Sequence, residues 1–495
     1  MEDGQSGKFI LIDFRIKLNP MLRKLIITGF YYASIRYVVL AIALLKTYLI
    51  ASGLGPEILG TYTLVILIVE YLNYVNLGVF NSMTRDIAVS LEHQERGSLD
   101  KTSIYSNSLG FSILMCGFLC IIFLLSKMTS ISLIPEDIES YIPIMFVLII
   151  SYQFKQYIIK RLRLEEEYLS IGSIELIAQS VNLIGIYLFI EDYLIDAVIY
   201  SIFASNFVII ILGFFISRDI NLAFNYKIIK SLIKSGFPML IHSIFMVIMM
   251  TIDRGMIIWL YTDRKALGLY QLGFILALGF FKAFESVTFL FQAKWLSHFA
   301  KDEKNSKKLS SIKEQTIYLE LFTVFLSVLG IIFVPFVISF FLPDYIPSIR
   351  ITQFLLISFV FNGLTFFVNI YLLSSKNEYQ MIPAMLIACI FSIFSNYFLI
   401  ELGYGLYGFA FTKIMAFGVY GFLIYLTVYR LLKEKFLKGF LDAYLRALLF
   451  FIPTSVIIYE EFSMIIIPFL YIFIYSKLIY SRLFTRSVWK GMIDR

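Results

Sequence analysis

Charged side chains inside long apolar stretches are the residues of this sequence best placed to do chemistry. The basic ones include Arg36, Lys46, Arg254, Lys282 and Lys413. A charge at the centre of a bilayer costs about 2.5–3.5 kcal/mol on insertion scales, so such residues usually face a cavity or a partner. We therefore expect cavities or partners for these cations, and Arg36, in the middle of the first apolar stretch, is the best candidate to face a cavity.

Lys46 and Arg254 form a second, more specific pattern. They are 208 positions apart, the same spacing that separates two repeated motifs described below. If the chain is a tandem repeat, the two cations face each other across a central cleft and suit an anionic head group such as a diphosphate, because arginine offers phosphate a planar fork and lysine a point charge. Alternatively, each side chain extends to the nearby membrane surface.

Three acidic residues in apolar stretches are candidates for ion coupling. Glu70 and Glu175 have no obvious partner close in the sequence, so they could take up a proton or another ion. Asp253 is a third candidate, or it neutralises the adjacent Arg254. Lys282 could instead pair locally with Glu285, because residues three apart share a helix face.

Catalytic signatures are absent from the sequence. No HExxH, P-loop or GxSxG motif occurs, and the three histidines do not cluster. Cys116, Cys120 and Cys389 all lie in apolar stretches and form no CxxC pair. We therefore expect no enzyme, no cofactor, no metal site and no disulfide.

Composition indicates a membrane protein. Hydrophobic residues make up 59% of the 495 and charged residues 16%, against about 45–50% and about 25% in soluble domains. A crossing needs about 20 helical residues, and the apolar stretches predict fourteen: Leu25–Ala51, Ile58–Ser82, Ser103–Ser126, Tyr141–Ile159, Ile171–Ile190, Leu194–Ile216, Gly236–Tyr261, Ala266–Ala293, Gln315–Phe341, Ile351–Ser374, Met381–Ile400, Gly405–Tyr429, Gly439–Tyr459 and Phe462–Tyr480.

The distribution of Lys and Arg predicts the orientation. With the N-terminus inside, about thirty of the 42 basic residues fall in cytoplasmic segments and only Lys127, Arg264, Lys265 and Arg350 fall in outside loops. Both termini are therefore predicted to be cytoplasmic. The net charge of +7 belongs to a basic collar that faces anionic lipid heads, and gives no reason to expect nucleic-acid binding.

Two motifs repeat along the chain. Thr28-Gly29-Phe30 resembles Ser235-Gly236-Phe237, and Leu59-Gly60-Thr61-Tyr62 resembles Leu267-Gly268-Leu269-Tyr270. We interpret the glycine and tyrosine of the second motif as structural, with the tyrosine at the membrane surface. The repeat predicts two parallel six-helix lobes related by an axis along the membrane normal. The predicted divisions are 1–24 (cytoplasmic), 25–217 (first lobe), 218–235 (linker), 236–430 (second lobe), 439–480 (helices 13 and 14) and 481–495 (cytoplasmic tail).

The sequence resembles the polysaccharide transporter branch of the MATE-like flippase superfamily, which includes the Wzx-type flippases of O-antigen and capsule units. The resemblance rests on Gly55-Pro56-Glu57-Ile58-Leu59-Gly60-Thr61-Tyr62, Asn76-Leu77-Gly78-Val79, Thr84-Arg85-Asp86-Ile87-Ala88 and Asp253-Arg254 with Leu267-Gly268-Leu269-Tyr270. It implies a two-lobed bundle in the bacterial inner membrane that alternates between inward and outward openings. It also implies a cavity for an undecaprenyl-diphosphate-linked oligosaccharide, lined by Arg36, Lys46, Arg254, Lys282 and Lys413.

The same resemblance suggests partners and leaves helices 13 and 14 open. A glycan polymerase and a chain-length regulator are expected partners beside membrane lipids, and coupling to protons or sodium ions is possible. Helices 13 and 14 lie outside the common twelve-helix plan, and we expect a lipid groove or a partner-binding face there.

Two other functions compete with the flippase. A cation-coupled exporter of drugs or small solutes would favour a cavity dominated by carboxylates, whereas cations slightly outnumber acids within the predicted spans. A membrane-bound glycan polymerase would need a large extracytoplasmic loop, and the longest one predicted, 127–140, is short.

Overall fold

The computed structural model of the protein describes residues 20–93, 100–128, 136–217, 220–261, 263–300, 305–375 and 377–483. Within these ranges the chain is helical and contains no strand. The helices are α1 (Pro20–Leu72), α2 (Val79–His93), α3 (Lys101–Met128), α4 (Ile142–Leu164), α5 (Tyr168–Ile216), α6 (Tyr226–Leu260), α7 (Arg264–Ala300), α8 (Asn305–Phe341), α9 (Ser348–Leu364), α10 (Phe366–Ser374), α11 (Met381–Glu401), α12 (Gly405–Leu431), α13 (Phe436–Tyr459) and α14 (Ile466–Leu483).

About fourteen membrane crossings fit these helices. In the described ranges, ten helical segments are long and apolar enough to cross a membrane. Two of them, Ser34–Asn76 and Tyr168–Ile216, have 43 and 49 residues and bend at Gly55 and Leu194, where φ is positive, so each provides two crossings. Two shorter apolar helices, Ala443–Tyr459 and Ile466–Ser476, follow. The predicted all-α membrane fold is confirmed.

The predicted second span, Ile58–Ser82, is wrong at its C-terminal end. α1 ends at Leu72, a 3₁₀ turn covers Asn73–Asn76, and α2 begins as a separate helix at Val79. Leu77 and Gly78 both have positive φ, of 47° and 78°, and the Asn76 side chain accepts a hydrogen bond from the Gly78 amide at 3.1 Å. The apolar composition continues through this turn, so hydropathy alone did not reveal the break.

The two halves of the chain meet at one end of the bundle, where α1 packs against α7. A Cβ added to Gly60 would overlap the carbonyl oxygen of Arg264, and a Cβ added to Gly268 would overlap that of Pro56. Glycine is needed because only it permits such a close backbone approach. The contacts are reciprocal, and both pairs are 208 positions apart, as expected for halves related by a two-fold axis. We call this the Gly60 end.

The tyrosines of the repeated motifs have a different place from the one predicted. Tyr62 is only 9% exposed and Tyr270 is fully buried, so the interpretation of these rings as membrane-surface residues was wrong. Tyr270 is covered from within its own half, where its hydroxyl donates to Asp253 of α6 and its ring lies 6.3 Å from that of Phe409 of α12.

The halves also meet at the opposite end of the bundle, which we call the Gly78 end. A Cβ on Gly78 would overlap the carbonyl oxygen of Gly236, and the reverse also holds. Beside this contact, the Ser82 hydroxyl lies 2.8 Å from the Ser235 hydroxyl, which donates to Asp86 Oδ1 at 3.2 Å. α2 and the start of α6 are therefore joined by polar contacts as well as by close packing.

A buried ion pair attaches α13 and α14 to the rest of the bundle. Arg446 of α13 donates to Glu320 Oε2 of α8 from two nitrogens, at 2.7 and 3.2 Å. Tyr475 of α14 donates to Glu320 Oε1 at 2.8 Å. Glu320 has no exposed surface, so both C-terminal helices satisfy one carboxylate that would otherwise be buried alone.

Candidate functional site

α1 carries two cations that bond to one face of α5. Arg36 forms an ion pair with Glu175 at 2.7 Å, and Lys46 donates to the side-chain oxygen of Gln179 at 3.1 Å. Glu175 and Gln179 are four residues apart and so share a face of the helix. This face offers one carboxylate to two cations, and the charge of Lys46 is met only by a neutral amide.

α4 and α7 bring two further cations to the same place. Lys155 donates to Asn206 Oδ1 at 3.1 Å, and its Nζ lies 5.4 Å from the centroid of the Tyr152 ring. Lys46 is within electrostatic range of Lys155 and of Lys282, which approaches from the second half of the chain. Lys155 is in turn within range of Glu175. We call the following set the cation cluster: Arg36, Lys46, Lys155, Lys282 and Glu175.

The cations of the cluster have partners of different charge. Arg36 pairs with the carboxylate of Glu175, whereas Lys46 and Lys155 donate to the neutral amides of Gln179 and Asn206. Lys282 is exposed and Arg36, Lys46 and Lys155 are half-buried. Lysine charges held by neutral amides at membrane depth favour an anionic ligand, because the surroundings screen charges less than water does.

Glu70 lies near the cation cluster and is surrounded by phenol rings. Its side chain is exposed and makes no hydrogen bond to any residue that the structure describes. Four tyrosines lie within electrostatic range of the carboxylate: Tyr62, Tyr71, Tyr74 and Tyr152. An exposed carboxylate among aromatic rings is suited to a proton or a small cation.

Asp253 and Lys413 form a separate, closed ion pair in the second half. Lys413 of α12 lies 2.8 Å from Asp253 Oδ2 and donates to the Met250 carbonyl at 2.7 Å. Tyr270 also donates to Asp253. Both charged side chains are 3% exposed, so this carboxylate already has a cation and a hydroxyl as partners.

Arg254 is bonded within the second half as well. It donates to Gln271 Oε1 at 3.0 Å and to the Met250 carbonyl at 3.1 Å. Its guanidinium carbon lies 4.0 Å above the Phe274 ring, the arrangement of a cation–π contact. The side chain is 4% exposed.

The structure therefore brings together some of the predicted residues and separates others. Arg36, Lys46, Lys282 and Glu175 converge, with Glu70 nearby. Lys46 and Arg254 do not bond to each other, as each has its partners in its own half. Snorkelling does not describe either of them. The side chain of Glu285, the proposed local partner of Lys282, lies outside the described residues.

Lys155 belongs to the site but was not predicted from the sequence. Its position inside an apolar stretch, which it shares with the other cations, is the one sequence feature that could have indicated a functional role. The repeat could not reveal it, because the position 208 residues later is Gly363. Its neutral partner Asn206 is 51 residues away in the sequence and carries no charge that a pattern could show.

The sequence and the fold have counterparts among known proteins. A family model described as "Polysaccharide biosynthesis protein" matches residues 25–288, which is more than half of the chain. The chain belongs to the polysaccharide biosynthesis protein family. The predicted resemblance to Wzx-type transporters of the MATE-like superfamily is confirmed.

One relative within reach of sequence comparison is a Shigella flexneri protein named as an O-antigen transporter. It is 27% identical over 217 residues, which are 41% of this chain and 51% of the relative. The match thus spans about half the length of that protein.

Solved structures share the fold at low sequence identity. The inward-facing conformation of a multidrug resistance MATE family transporter of the MOP superfamily has a TM-score of 0.65 at 13% identity, covering 81% of this chain and 98% of that one. The lipid II flippase MurJ in its inward closed conformation has a TM-score of 0.61 at 18% identity, covering 92% and 99%. These likenesses show that the chain shares the fold of these two membrane proteins.

Proposed function

We propose that this protein is a flippase that moves a lipid-linked oligosaccharide, carried on undecaprenyl diphosphate, from the cytoplasmic to the outer leaflet by alternating access. The observation that carries the proposal is the cation cluster at the junction of the two halves, where Lys46 and Lys155 are held by neutral amides. A diphosphate supplies the negative charge that would pair with these two lysines. Arg36 offers a fork to its oxygens and the three lysines offer point charges.

The position of Lys282 suggests how binding is linked to movement. Three cations of the cluster belong to the first half and Lys282 belongs to the second. An anion that contacts both halves favours the conformation in which the halves are close together at the cation cluster. It shifts the equilibrium between this conformation and the one with the halves apart only by its difference in affinity for the two. Contacts at the Gly60 end and the Gly78 end must separate in turn for the substrate to enter and leave.

The cellular setting follows from the family and from the predicted orientation. The protein is a multi-pass protein of the bacterial inner membrane with both termini in the cytoplasm, and it performs no covalent chemistry. Its substrate is an O-antigen or capsule repeat unit, and its partners are the glycan polymerase and chain-length regulator of that pathway. The two lobes, residues 25–217 and 236–430, rotate relative to each other during transport. Residues 439–480 support the second lobe.

Flipping in reconstituted vesicles tests the proposal. The probe is an undecaprenyl-diphosphate oligosaccharide with a fluorescent sugar that a membrane-impermeant reductant bleaches in the outer leaflet. Wild-type protein should bring the lipid of the inner leaflet to the outer leaflet, where it is bleached. Arg36→Ala or Lys155→Gln should slow this flipping at least about tenfold, the effect of losing about one charge-assisted hydrogen bond.

Lys227→Gln serves as the matched control, because Lys227 is an exposed cation at the start of α6, outside the predicted spans. Unchanged flipping in both cluster variants would refute the role of the cation cluster. If the wild type instead exports organic cations and leaves the lipid probe in place, the protein is an exporter and not a flippase.

A further inference from the structure

A long apolar groove lies in the second half, between α9, α11, α12 and α13. Its volume is about 490 Å³, within the ~300–1,000 Å³ typical of ligand pockets. The wall of α12 runs from Tyr407 to Gly418 and that of α13 from Leu448 to Tyr459. None of the cation cluster lies on these helices, so the groove is distinct from the proposed substrate site.

The length of the groove matches one leaflet of a bilayer. Each of the two walls covers eleven residue steps, which is about 16 Å at 1.5 Å per residue. Half of a hydrocarbon core of ~30 Å is ~15 Å. An extended acyl chain from one leaflet therefore fits the groove from end to end.

The mouth of the groove is at the Gly60 end and carries both signs of charge. Gly405, which begins α12, lies beside Tyr261 at the end of α6. Tyr261 shortly precedes Arg264, whose carbonyl contacts Gly60, so the mouth lies at the Gly60 end. Arg350 is 5.8 Å from the centroid of the Tyr407 ring and forms an ion pair with Glu461. Glu460 lines the groove itself.

Aromatic rings also surround the mouth. The rings of Tyr404 and Tyr459 are 6.0 Å apart, and both residues line the groove. Tyrosines are enriched at the level of lipid head groups because one end of the ring is apolar and the other is polar. The mouth is therefore built for the boundary between hydrocarbon and head groups.

We propose that this groove binds a phospholipid whose head group contains a phosphate and a primary ammonium, the phosphatidylethanolamine class. One acyl chain occupies the groove, Arg350 receives the phosphate, and Glu460 with Glu461 receives the ammonium. A purely anionic head group would meet two carboxylates and one cation, which disfavours it. With the predicted orientation, the bound lipid belongs to the outer leaflet.

The acyl-chain part is tested by filling the groove. No heavy atom lies within 4 Å of a Cβ added to Gly418, so Gly418→Leu fits the protein and occupies the groove. Gly117→Leu on α3 is the control, since a Cβ added there also has no heavy atom within 4 Å and the position is exposed outside the groove. In native mass spectrometry of the full chain titrated with phosphatidylethanolamine, Gly418→Leu should weaken retention of one lipid by about tenfold or more and Gly117→Leu should not. Equal binding by wild type and Gly418→Leu would overturn the site.

The head-group part is tested at Arg350. Arg350→Gln should weaken phosphatidylethanolamine binding by about tenfold, and Arg350→Lys should restore most of it. Phosphatidylglycerol that binds as tightly as phosphatidylethanolamine would overturn the head-group assignment. Undecaprenyl phosphate that displaces the lipid from the groove would assign the groove to the substrate instead.

A measurement on the wild type covers the case in which a variant does not fold. Phosphatidylethanolamine with a photoreactive acyl chain should crosslink to α12 and α13 within the groove. Crosslinks spread evenly over lipid-facing helices, including α3 around Gly117, would overturn the proposal.

Discussion

At the scale of single residues, the partner of each buried cation decides what it can do. Lys46 and Lys155 are held by neutral amide oxygens, so their charge remains available to a ligand. Lys413 is held by the carboxylate of Asp253, so its charge is already neutralised. The sequence shows the three lysines alike, and only the fold separates a binding cation from a structural one.

This difference predicts opposite phenotypes for the lysines. Lys413→Ala leaves the Asp253 carboxylate buried without a cation, which should destabilise the protein by about 3–5 kcal/mol, as for other broken buried pairs. Removing both partners in Lys413→Ala with Asp253→Ala should recover much of that loss. The measurement is the thermal unfolding midpoint of the detergent-purified protein, with Lys282→Ala, at an exposed position, as control.

The opposite outcome has a definite meaning. A Lys413→Ala protein that unfolds at the wild-type temperature but no longer transports would return Lys413 and Asp253 to the substrate-binding and ion-coupling roles predicted from the sequence.

At the scale of helices, much of the plan could be predicted and its exceptions have physical causes. Apolar length gave about fourteen crossings, because a bilayer requires about 20 residues for each. It did not give the break at Leu77 and Gly78, since a left-handed turn can be as apolar as the helix around it. It also could not pair Arg446 with Glu320, whose contact joins positions 126 residues apart.

The glycine contact between α1 and α7 leads to the second prediction. A side chain at Gly60 would collide with backbone atoms of Arg264 and cannot be relieved by rotating a rotamer. Gly60→Val should therefore prevent closure of the Gly60 end and reduce flipping at least about tenfold, while the protein still enters the membrane. Gly117→Val, at an open position, should flip normally in the same vesicles. Normal flipping by Gly60→Val would show that the two halves need not meet there during transport.

At the scale of the whole molecule, the two halves are joined at both ends and share the cation cluster between them. In the proposed transport cycle, the contacts at one end open while those at the other hold. The Gly60 end combines backbone packing with a hydrogen bond from the Tyr345 hydroxyl to the Ala51 carbonyl. The Gly78 end combines it with the hydrogen bonds of Ser82, Ser235 and Asp86. A change of charge in the middle of the bundle can bias which end opens, because it alters how strongly an anion holds the two halves together.

The ion pair of Arg36 with Glu175 suggests where such a change of charge enters. A carboxylate bound to Arg36 competes with a diphosphate for the same guanidinium, so Glu175 lowers the affinity of the site for the substrate. Glu175 and the nearby Glu70 are the carboxylates that we propose for ion coupling. Moving one charge across the membrane supplies about 2.3 kcal/mol per 100 mV, which shifts a two-state equilibrium by more than tenfold.

We therefore expect flipping to depend on an ion gradient and on at least one of these two carboxylates. In proteoliposomes with imposed proton or sodium gradients, Glu175→Gln or Glu70→Gln should flip at a rate that no longer responds to the gradient, while Glu314→Gln, on the predicted cytoplasmic side of α8, should respond as the wild type does. Glu175→Gln should also bind the diphosphate lipid more tightly, because Arg36 has lost its competitor. If wild-type flipping is unchanged when both gradients are collapsed, and both variants flip normally, the energy comes from consumption of the substrate on the far side, and these carboxylates only position the cations beside them.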